Sequence, residues 1–443
     1  MPGIHRTQAR PFVVLMLLAS LPALVRAQSV YEQDVRFAVD ELPKQCGHFF
    51  ELKKIDWPAI SKQFLEEAKN VKTDQEHLVL LQRLLARLKD GHAAVQPTDK
   101  TKNIQWPDDG KGPKTGPGFF LCKINDGIYI KNSFATAKAA GVAPGMQVLA
   151  IDDLPIDPWI EKKTAERCDI IGHSTDTQAF FHTTHWGLAA PVGHQYKLQL
   201  KDLTGQTITK TVPCQRATYI PWGPAFFPPG IRGDGNLAHA KLPSGLGYIH
   251  IRRCPGNLPA LIDKALADLG NVPGLILDFR ANGGGGFDHD AFMGRFIPAG
   301  KILQFTKRYA SAGPNPYGGP IVVIVDGVTR SAGETASGIF KEDGRAYMIG
   351  ESPTAGTSSS KRTIPLPSGL FNLYFSVASN MKRFNHGQGI EGVGVPPHQI
   401  VQYDPKDLAA GIDTLTRRAE ELLKDYPQDK VPYNPEKFGW SAN

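Results

Sequence analysis

The run Ile321-Val322-Val323-Ile324-Val325, with Asp326-Gly327 after it and Ser331 four residues further on, constrains the fold more than any other stretch. Five β-branched residues in a row cannot alternate between core and solvent, so they predict a strand buried on both faces. Gly327 ends that strand, and Ala332 to Phe340 has helical character. Ser331 therefore falls at a tight strand-to-helix turn, beside the positive end of a helix dipole. Thr329-Arg330-Ser331-Ala332-Gly333 differs by one residue from the G-x-S-x-G elbow, in which a serine hydroxyl is held clear of a sheet beside backbone N–H groups. The other reading of the same serine is a helix N-cap.

The rest of the C-terminal half alternates in the same way. Strands are predicted at Gly247–Ile251, Leu275–Phe279, Ile321–Val325, Ala346–Ile349 and Leu370–Ser376. Helices are predicted at Ala260–Leu269, Ser331–Phe340 and Leu408–Leu423. Such alternation predicts an α/β core around a mostly parallel sheet. Tyr31 to Leu88 carries apolar residues at helical spacing (Phe64, Ala68, Leu78, Leu81, Leu84, Leu85, Leu88) and predicts a small helical bundle ending at Lys89-Asp90-Gly91-His92. Residues 97–117, rich in Pro, Gly, Lys and Asp, read as a boundary. Between them and the core, short strands, the helical stretch Ala135–Ala140 and a hairpin around Thr204-Gly205 predict a small β-rich module, with Pro158–Gly187 mainly helical.

Residues 1–27 read as a secretory signal, with Arg6 and Arg10 before an apolar stretch from Phe12 to Leu24 and cleavage after Ala27. No later stretch approaches membrane-spanning length, so the mature protein is expected to be secreted or periplasmic, with no integral membrane segment. Losing Arg6, Arg10 and Arg26 with the leader takes the net charge from +7 to +4. The remaining excess is spread along the chain without a basic block, which argues against nucleic-acid binding. The five cysteines, Cys46, Cys122, Cys168, Cys214 and Cys254, show no C-x-x-C spacing, which argues against metal or redox chemistry. An odd number leaves at least one without an intrachain partner, and the pairing is open.

A nucleophilic serine needs a base, a group that orients the base, and an oxyanion hole. Asp278-Phe279-Arg280-Ala281-Asn282 followed by Gly283 to Gly286 leaves a buried strand with four glycines, which allow close backbone approach to a substrate oxygen. The alternative is a plain flexible connection. His92 follows Asp90-Gly91 at a helix end, where a histidine also complements the dipole. Glu391, flanked by glycines in Gly389 to Pro396, is a carboxylate in a defined loop or a solvated turn residue.

Together these pieces resemble the serine peptidases of family S41, the C-terminal processing (tail-specific) and tricorn-core type. Asp278-x-Arg280-x-Asn282-x-Gly284-Gly285 is similar to the family's D-x-R-x-N-x-G-G, and Thr329 to Glu334 to its S-A-S-E segment. Arg345 to Glu351 resembles R-A-x-x-x-G-E, and Gly389 to Pro396 resembles G-I-x-G-x-G-V-x-P. Ala140 to Ile151 looks like the signature of a PDZ domain, whose carboxylate-binding loop would be Gly118-Phe119-Phe120. In the Ser–Lys branch a lysine ends a T-x-G-K segment, but here Thr354-Ala355-Gly356 is followed by Thr357. Lys361 stands too far along to replace it. Pro397-His398 also departs from the family's P-D.

The resemblance implies a multidomain α/β protein: an N-terminal helical domain (28–105), a PDZ-like domain (115–215) and a ClpP/crotonase-like α/β core (216–443). It implies the histidine-containing branch, an endopeptidase with Ser331 as nucleophile, His92 as general base and Glu391 orienting the imidazole. The N–H groups of Gly284 and Ala332 would form the oxyanion hole. No metal or organic cofactor is implied. The partner would be a protein or peptide substrate, which the PDZ-like domain would hold by its C-terminus; self-association is left open. Gly91 fills the place of a second serine before the histidine, so a triad is expected. The alternative is an inactive peptide- or ligand-binding protein on the same scaffold.

Overall fold

The computed structural model describes residues 28–107, 110, 112–215 and 223–434. The expected leader lies outside the described residues. Seven strands form the central sheet, in the order Arg232–Gly233, Leu237–Lys241, Gly247–Ile251, Leu275–Asp278, Ile321–Val325, Tyr347–Gly350 and Gln399–Ile400. The last five are parallel to their neighbours, and the first two are antiparallel at one edge. All five residues of Ile321–Val325 are buried, as a strand covered on both faces requires. Alternate side chains feed two separate cores. Leu275, Leu277, Ile321, Val323 and Val325 pack with the helices Leu258–Leu269 and Ala332–Glu342. Ile276, Val322 and Ile324 pack with Leu415, Ala419 and Leu422 on the opposite face.

The stretch predicted as one closing helix, 408–423, is two: Pro405–Ala409 and Thr414–Lys424. Gly411 between them has φ +75°, and Asp413 caps the second helix by accepting from the Thr416 N–H at 2.9 Å.

Three helices, Val30–Cys46, Trp57–Ala68 and Asp74–Ala86, form the N-terminal region. Ser29 with Glu32, and Thr73 with Glu76, close capping boxes at two of their starts. Their shared core is not self-contained. Leu42, Phe64, Leu81 and Leu84 pack with Leu366, Phe371, Leu373 and Phe375 from the far end of the chain. The strand Ala94–Pro97 also pairs antiparallel with Phe371–Tyr374. The helical region is thus sewn to the hairpin of Ser359–Pro365 and Phe371–Ser379, and the His92 loop lies at the seam.

Between the two comes an antiparallel sheet built on Phe119–Ile124, Gly127–Ser133, Gln147–Ile151, Gln195–Lys201 and Thr207–Pro213. The hairpin around Thr204-Gly205 and the helix Ala135–Ala139 lie where the residues predict them. The helices Ile156–Cys168 and Asp176–Thr184 are inserted before the hairpin. All five cysteines stand as thiols, four of them buried.

Candidate active site

Ser331 leaves the buried strand in a conformation that side chains rarely adopt, φ 56° and ψ −125°. Such strain persists only where surrounding bonds fix it. Here Arg330 N–H donates to Asn282 C=O at 3.0 Å and Ser331 N–H to Thr357 C=O at 2.9 Å. Thr329 Oγ1 donates to Phe279 C=O at 2.8 Å. The Ser331 hydroxyl is left with no hydrogen bond among the described residues, and the side chain is partly exposed. The alternative reading is met in part: Ser331 is the N-cap residue of Ala332–Glu342, with Glu334 returning a capping-box bond to its N–H at 3.1 Å, while no hydrogen bond of normal length ties the serine hydroxyl to the helix N–H groups.

Glu334, three residues on, is wholly buried and acts as the clamp of this turn. Its carboxylate accepts from Ser331 N–H (3.1 Å), Thr354 Oγ1 (2.6 Å), Gly356 N–H (2.7 Å) and Thr357 N–H (2.8 Å). Burial pushes its pKa up to about 8 against the pull of the donors, and the Glu391 charge adds to the rise. The four donors address the ionised form, and they tie the segment 354–357 to the nucleophile turn.

The D-x-R-x-N segment divides its labour. Arg280 is fully buried and pairs with Asp278 and, at 2.9 Å, with Asp413, so these residues brace the sheet against the last helix. Asn282 faces the site: its Nδ2 donates to Ile251 C=O at 2.7 Å, and its Oδ1 accepts from Gly284 N–H at 2.8 Å. The Gly284 N–H is therefore already committed. What Gly284 brings is the absence of a side chain, since a Cβ there would stand 2.8 Å from Ser331 Cβ and 3.2 Å from Ala332 N. The hollow it leaves is lined by the Ala332 N–H, which has no bonded partner among the described residues.

His92 reaches this site from the N-terminal region. A Cβ on Gly91 would lie 2.7 Å from the Thr357 side chain, so the histidine loop packs on the residue whose carbonyl holds the Ser331 amide. Asp90 is buried and fixes the loop, accepting from His92 N–H at 2.8 Å and Ser376 N–H at 2.7 Å. Burial holds the His92 pKa down to about 4; the nearby charge of Lys361 depresses it further, while Asp90 raises it. The ring is therefore neutral near pH 7, as a base must be.

Glu391 lies with them. A nitrogen of His92 and carboxylate oxygens of Asp90 and Glu391 all fall within 4.8 Å of one another. Glu391 Oε2 and His92 Nδ1 are both buried and both lack a partner. The two orphan atoms are complementary in kind when Nδ1 carries the proton, and no hydrogen bond joins them as found. The other oxygen, Oε1, accepts from Lys53 Nζ at 2.7 Å and from Ser174 Oγ at 3.0 Å. Burial raises the Glu391 pKa and the Lys53 charge lowers it. Lys53 Nζ also donates to Lys89 C=O at 2.9 Å. The three site groups have the donor set of a cation site, but the ammonium already supplies a positive charge to Glu391, which works against an added ion.

Sequence reasoning missed Lys53 and Ser174. Gly91 does stand before the histidine, and a hydroxyl from another segment reaches the carboxylate instead: Ser174 Oγ accepts from Gly91 N–H at 3.1 Å while donating to Glu391. Lys361 lies on Ser359–Pro365 at a register shift, near enough to His92 to affect its charge, and its ammonium has no hydrogen bond among the described residues. In the expected carboxylate loop of the middle sheet, Phe119 and Phe120 are buried, and Phe120 N–H donates to Asn132 Oδ1 at 3.2 Å. Phe120 packs against His185, with centroids 4.4 Å apart. As found, Gly118-Phe119-Phe120 is interior rather than an open cradle.

Residues 245–401 match peptidase family S41. The chain is 30% identical over 199 residues to a chloroplastic C-terminal processing peptidase of Tetradesmus obliquus, a match that covers 41% of each. It is 22% identical over 364 residues to a carboxyl-terminal-processing protease of Picosynechococcus, covering 79% of this chain and 78% of that one. The first of these matches thus spans about two fifths of the relative's own length. Among solved structures, mature CPAF superposes with a TM-score of 0.64 at 13% identity, covering 90% of this chain and 97% of that one. That likeness is one of fold. Residues 245–401 thus form a domain of the S41 peptidase type, the family to which the C-terminal processing proteases it matches belong.

Proposed function

We propose that this protein is an exported serine endopeptidase that hydrolyses peptide bonds through an acyl-enzyme on Ser331. The observation that carries the reading is the strained turn that sets Ser331 beside the Gly284 hollow and bonds it to Thr357, the residue against which the His92 loop packs. His92 takes the Ser331 proton as the oxygen attacks the scissile carbonyl. Glu391, through its open Oε2, accepts from Nδ1–H and stabilises the imidazolium. The oxyanion settles in the hollow that Gly284 keeps clear, with the Ala332 N–H as donor. His92 then protonates the leaving amine, and water repeats the sequence on the ester.

In this reading residues 28–105 form the helical domain, 115–215 a PDZ-like domain and 216–443 the catalytic core. The PDZ-like part would bind a substrate C-terminus only after Gly118-Phe119-Phe120 opens, because the loop is now packed inside. Export rests on the leader-like residues 1–27. Among the described residues, no helix is long and apolar enough to cross a membrane.

One observation favours the second reading, a binding scaffold without activity: neither Ser331 Oγ nor the His92 ring has a hydrogen-bond partner among the described residues. A fluorophosphonate probe decides between them. Labelling of the mature protein that disappears in Ser331→Ala and in His92→Ala establishes the activated serine. Loss in Lys361→Ala with retention in His92→Ala moves the base to the lysine, and an unlabelled wild type rejects the peptidase reading.

A further inference from the structure

A cavity of about 460 Å³ opens beside the nucleophile turn, within the range of ligand-binding pockets. Its floor is the two strand-end loops that make the site, at Ala281, Gly283, Val328 and Arg330. Three further arginines converge on it from two other places: Arg167 from the helix Ile156–Cys168, and Arg252 and Arg253 from the end of Gly247–Ile251. No acidic side chain lines it among the described residues.

An arginine cluster in a folded protein is ordinarily matched by carboxylates, because adjacent guanidiniums repel and burial removes their hydration. Three of these arginines, Arg167, Arg253 and Arg330, have no such carboxylate bonded to them among the described residues. Arg167 Nε is buried without a partner. The guanidiniums of Arg253 and Arg330 have no hydrogen bond or ion pair among the described residues; burial and the Arg253 charge push the Arg330 pKa down, and the charge of Glu334 only partly offsets them. Arg253 lies flat against the glycine loop: a Cβ on Gly283 would be 2.7 Å from its Nη1 and 3.0 Å from its Cζ. Trp186, in ring contact with His182 at 4.5 Å, gives the opposite wall an aromatic surface. The missing group is therefore a carboxylate delivered from outside, with an apolar stem to lie on the wall.

We infer that this cavity is a substrate subsite that binds a carboxylate of the polypeptide, within a residue or two of the bond presented to Ser331, through Arg167, Arg253 and Arg330. The inference rests on the peptidase reading for its substrate class. An acidic side chain and a free C-terminal carboxylate carry the same chemistry, and both could fill it.

The test is fluorescence anisotropy with full-length Ser331→Ala protein, which binds without turnover. The probes are labelled peptides in pairs, Glu against Gln at successive positions and free against amidated C-terminus. A preference of about tenfold or more for one carboxylate over its neutral partner supports the subsite, as expected where charged donors are otherwise left unpaired. Dependence on Glu identifies a side chain as the source, and dependence on the free terminus identifies the α-carboxylate. The preference should collapse when Arg253→Met or Arg167→Met is added, and partly return with Arg167→Lys. A ratio taken within one preparation is insensitive to the fraction of protein that folds. Equal binding of every pair, or a preference unchanged in both arginine variants, overturns the inference. Probe labelling of the wild type tests the peptidase reading separately, so the two can fail independently.

Discussion

The two halves of the site are built in opposite ways. The nucleophile turn is a local object, since Ser331, Glu334 and their partners Asn282 and Thr354–Thr357 all belong to one sheet and its connections. The proposed base is assembled from four remote segments: Lys53, Asp90–His92, Ser174 and Glu391. A turn held by backbone bonds within one sheet is rigid wherever the sheet is folded. A base held by side chains from different layers is rigid only when all of them are docked. The contrast predicts where the site is fragile.

The largest effect belongs to the local half. Ser331→Ala should lower kcat by about 10⁴-fold or more, with folding unchanged, because only the reacting oxygen is removed; peptide hydrolysis and a thermal melt check both. The remote half should fail differently. Lys53→Met strands the Glu391 carboxylate inside the protein and is expected to cost about 3–5 kcal/mol of stability. Adding Glu391→Gln should recover much of that stability but none of the activity, which urea unfolding of the single and double variants would show. If Lys53→Met alone unfolds no earlier than wild type, the docked-base picture is wrong.

Gly284→Ala probes the join between the halves. Its new methyl would press on Ser331 and fill the hollow at a backbone φ of +82°. A drop of about 10²-fold in kcat is expected, the scale of losing one oxyanion donor. Acid is a gentler probe. Because burial lowers the folded His92 pKa to about 4, below the unfolded value of about 6.5, the unfolded chain binds the extra proton first. The contribution of this residue to stability therefore declines as pH falls from 6.5 towards 4. The acid limb of kcat/KM should lie near pH 4, and a limb near 6.5 would mean that His92 is solvated in the working enzyme. The smallest change is Ser174→Ala, which removes one of two donors to Glu391 Oε1. It should cost about 1 kcal/mol and shift kcat by a few fold, read by initial rates and melting.

What was legible in the sequence follows the same division. The strand Ile321–Val325, the turn at Ser331 and the Asp-Gly-His loop were readable because each is encoded by adjacent residues. The parallel sheet was readable for the same reason. Lys53 was not, since one member of a Lys-Lys pair looks like any solvated lysine until the chain closes over it. Ser174 and the arginine cavity were hidden similarly, because their partners lie on other elements. Gly284 lies beside Ser331, but the N–H expected to serve an oxyanion is spent on Asn282, a bond between residues two apart that depends on a side-chain rotamer. The break at Gly411 was missed because apolar spacing continues across it and the Asp413 cap was not recognised.

The pairing of Lys53 with Glu391 joins residues 338 positions apart, and that span has a consequence for the chain during its synthesis. A ribosome must release the Gly389–Pro396 loop before the carboxylate can meet the lysine and the histidine. Until then the growing polypeptide holds its serine without a steadied base. On the proposed mechanism, a nascent or prematurely terminated chain lacking that loop would be harmless to its neighbours, since hydrolytic power would await the Glu391 segment.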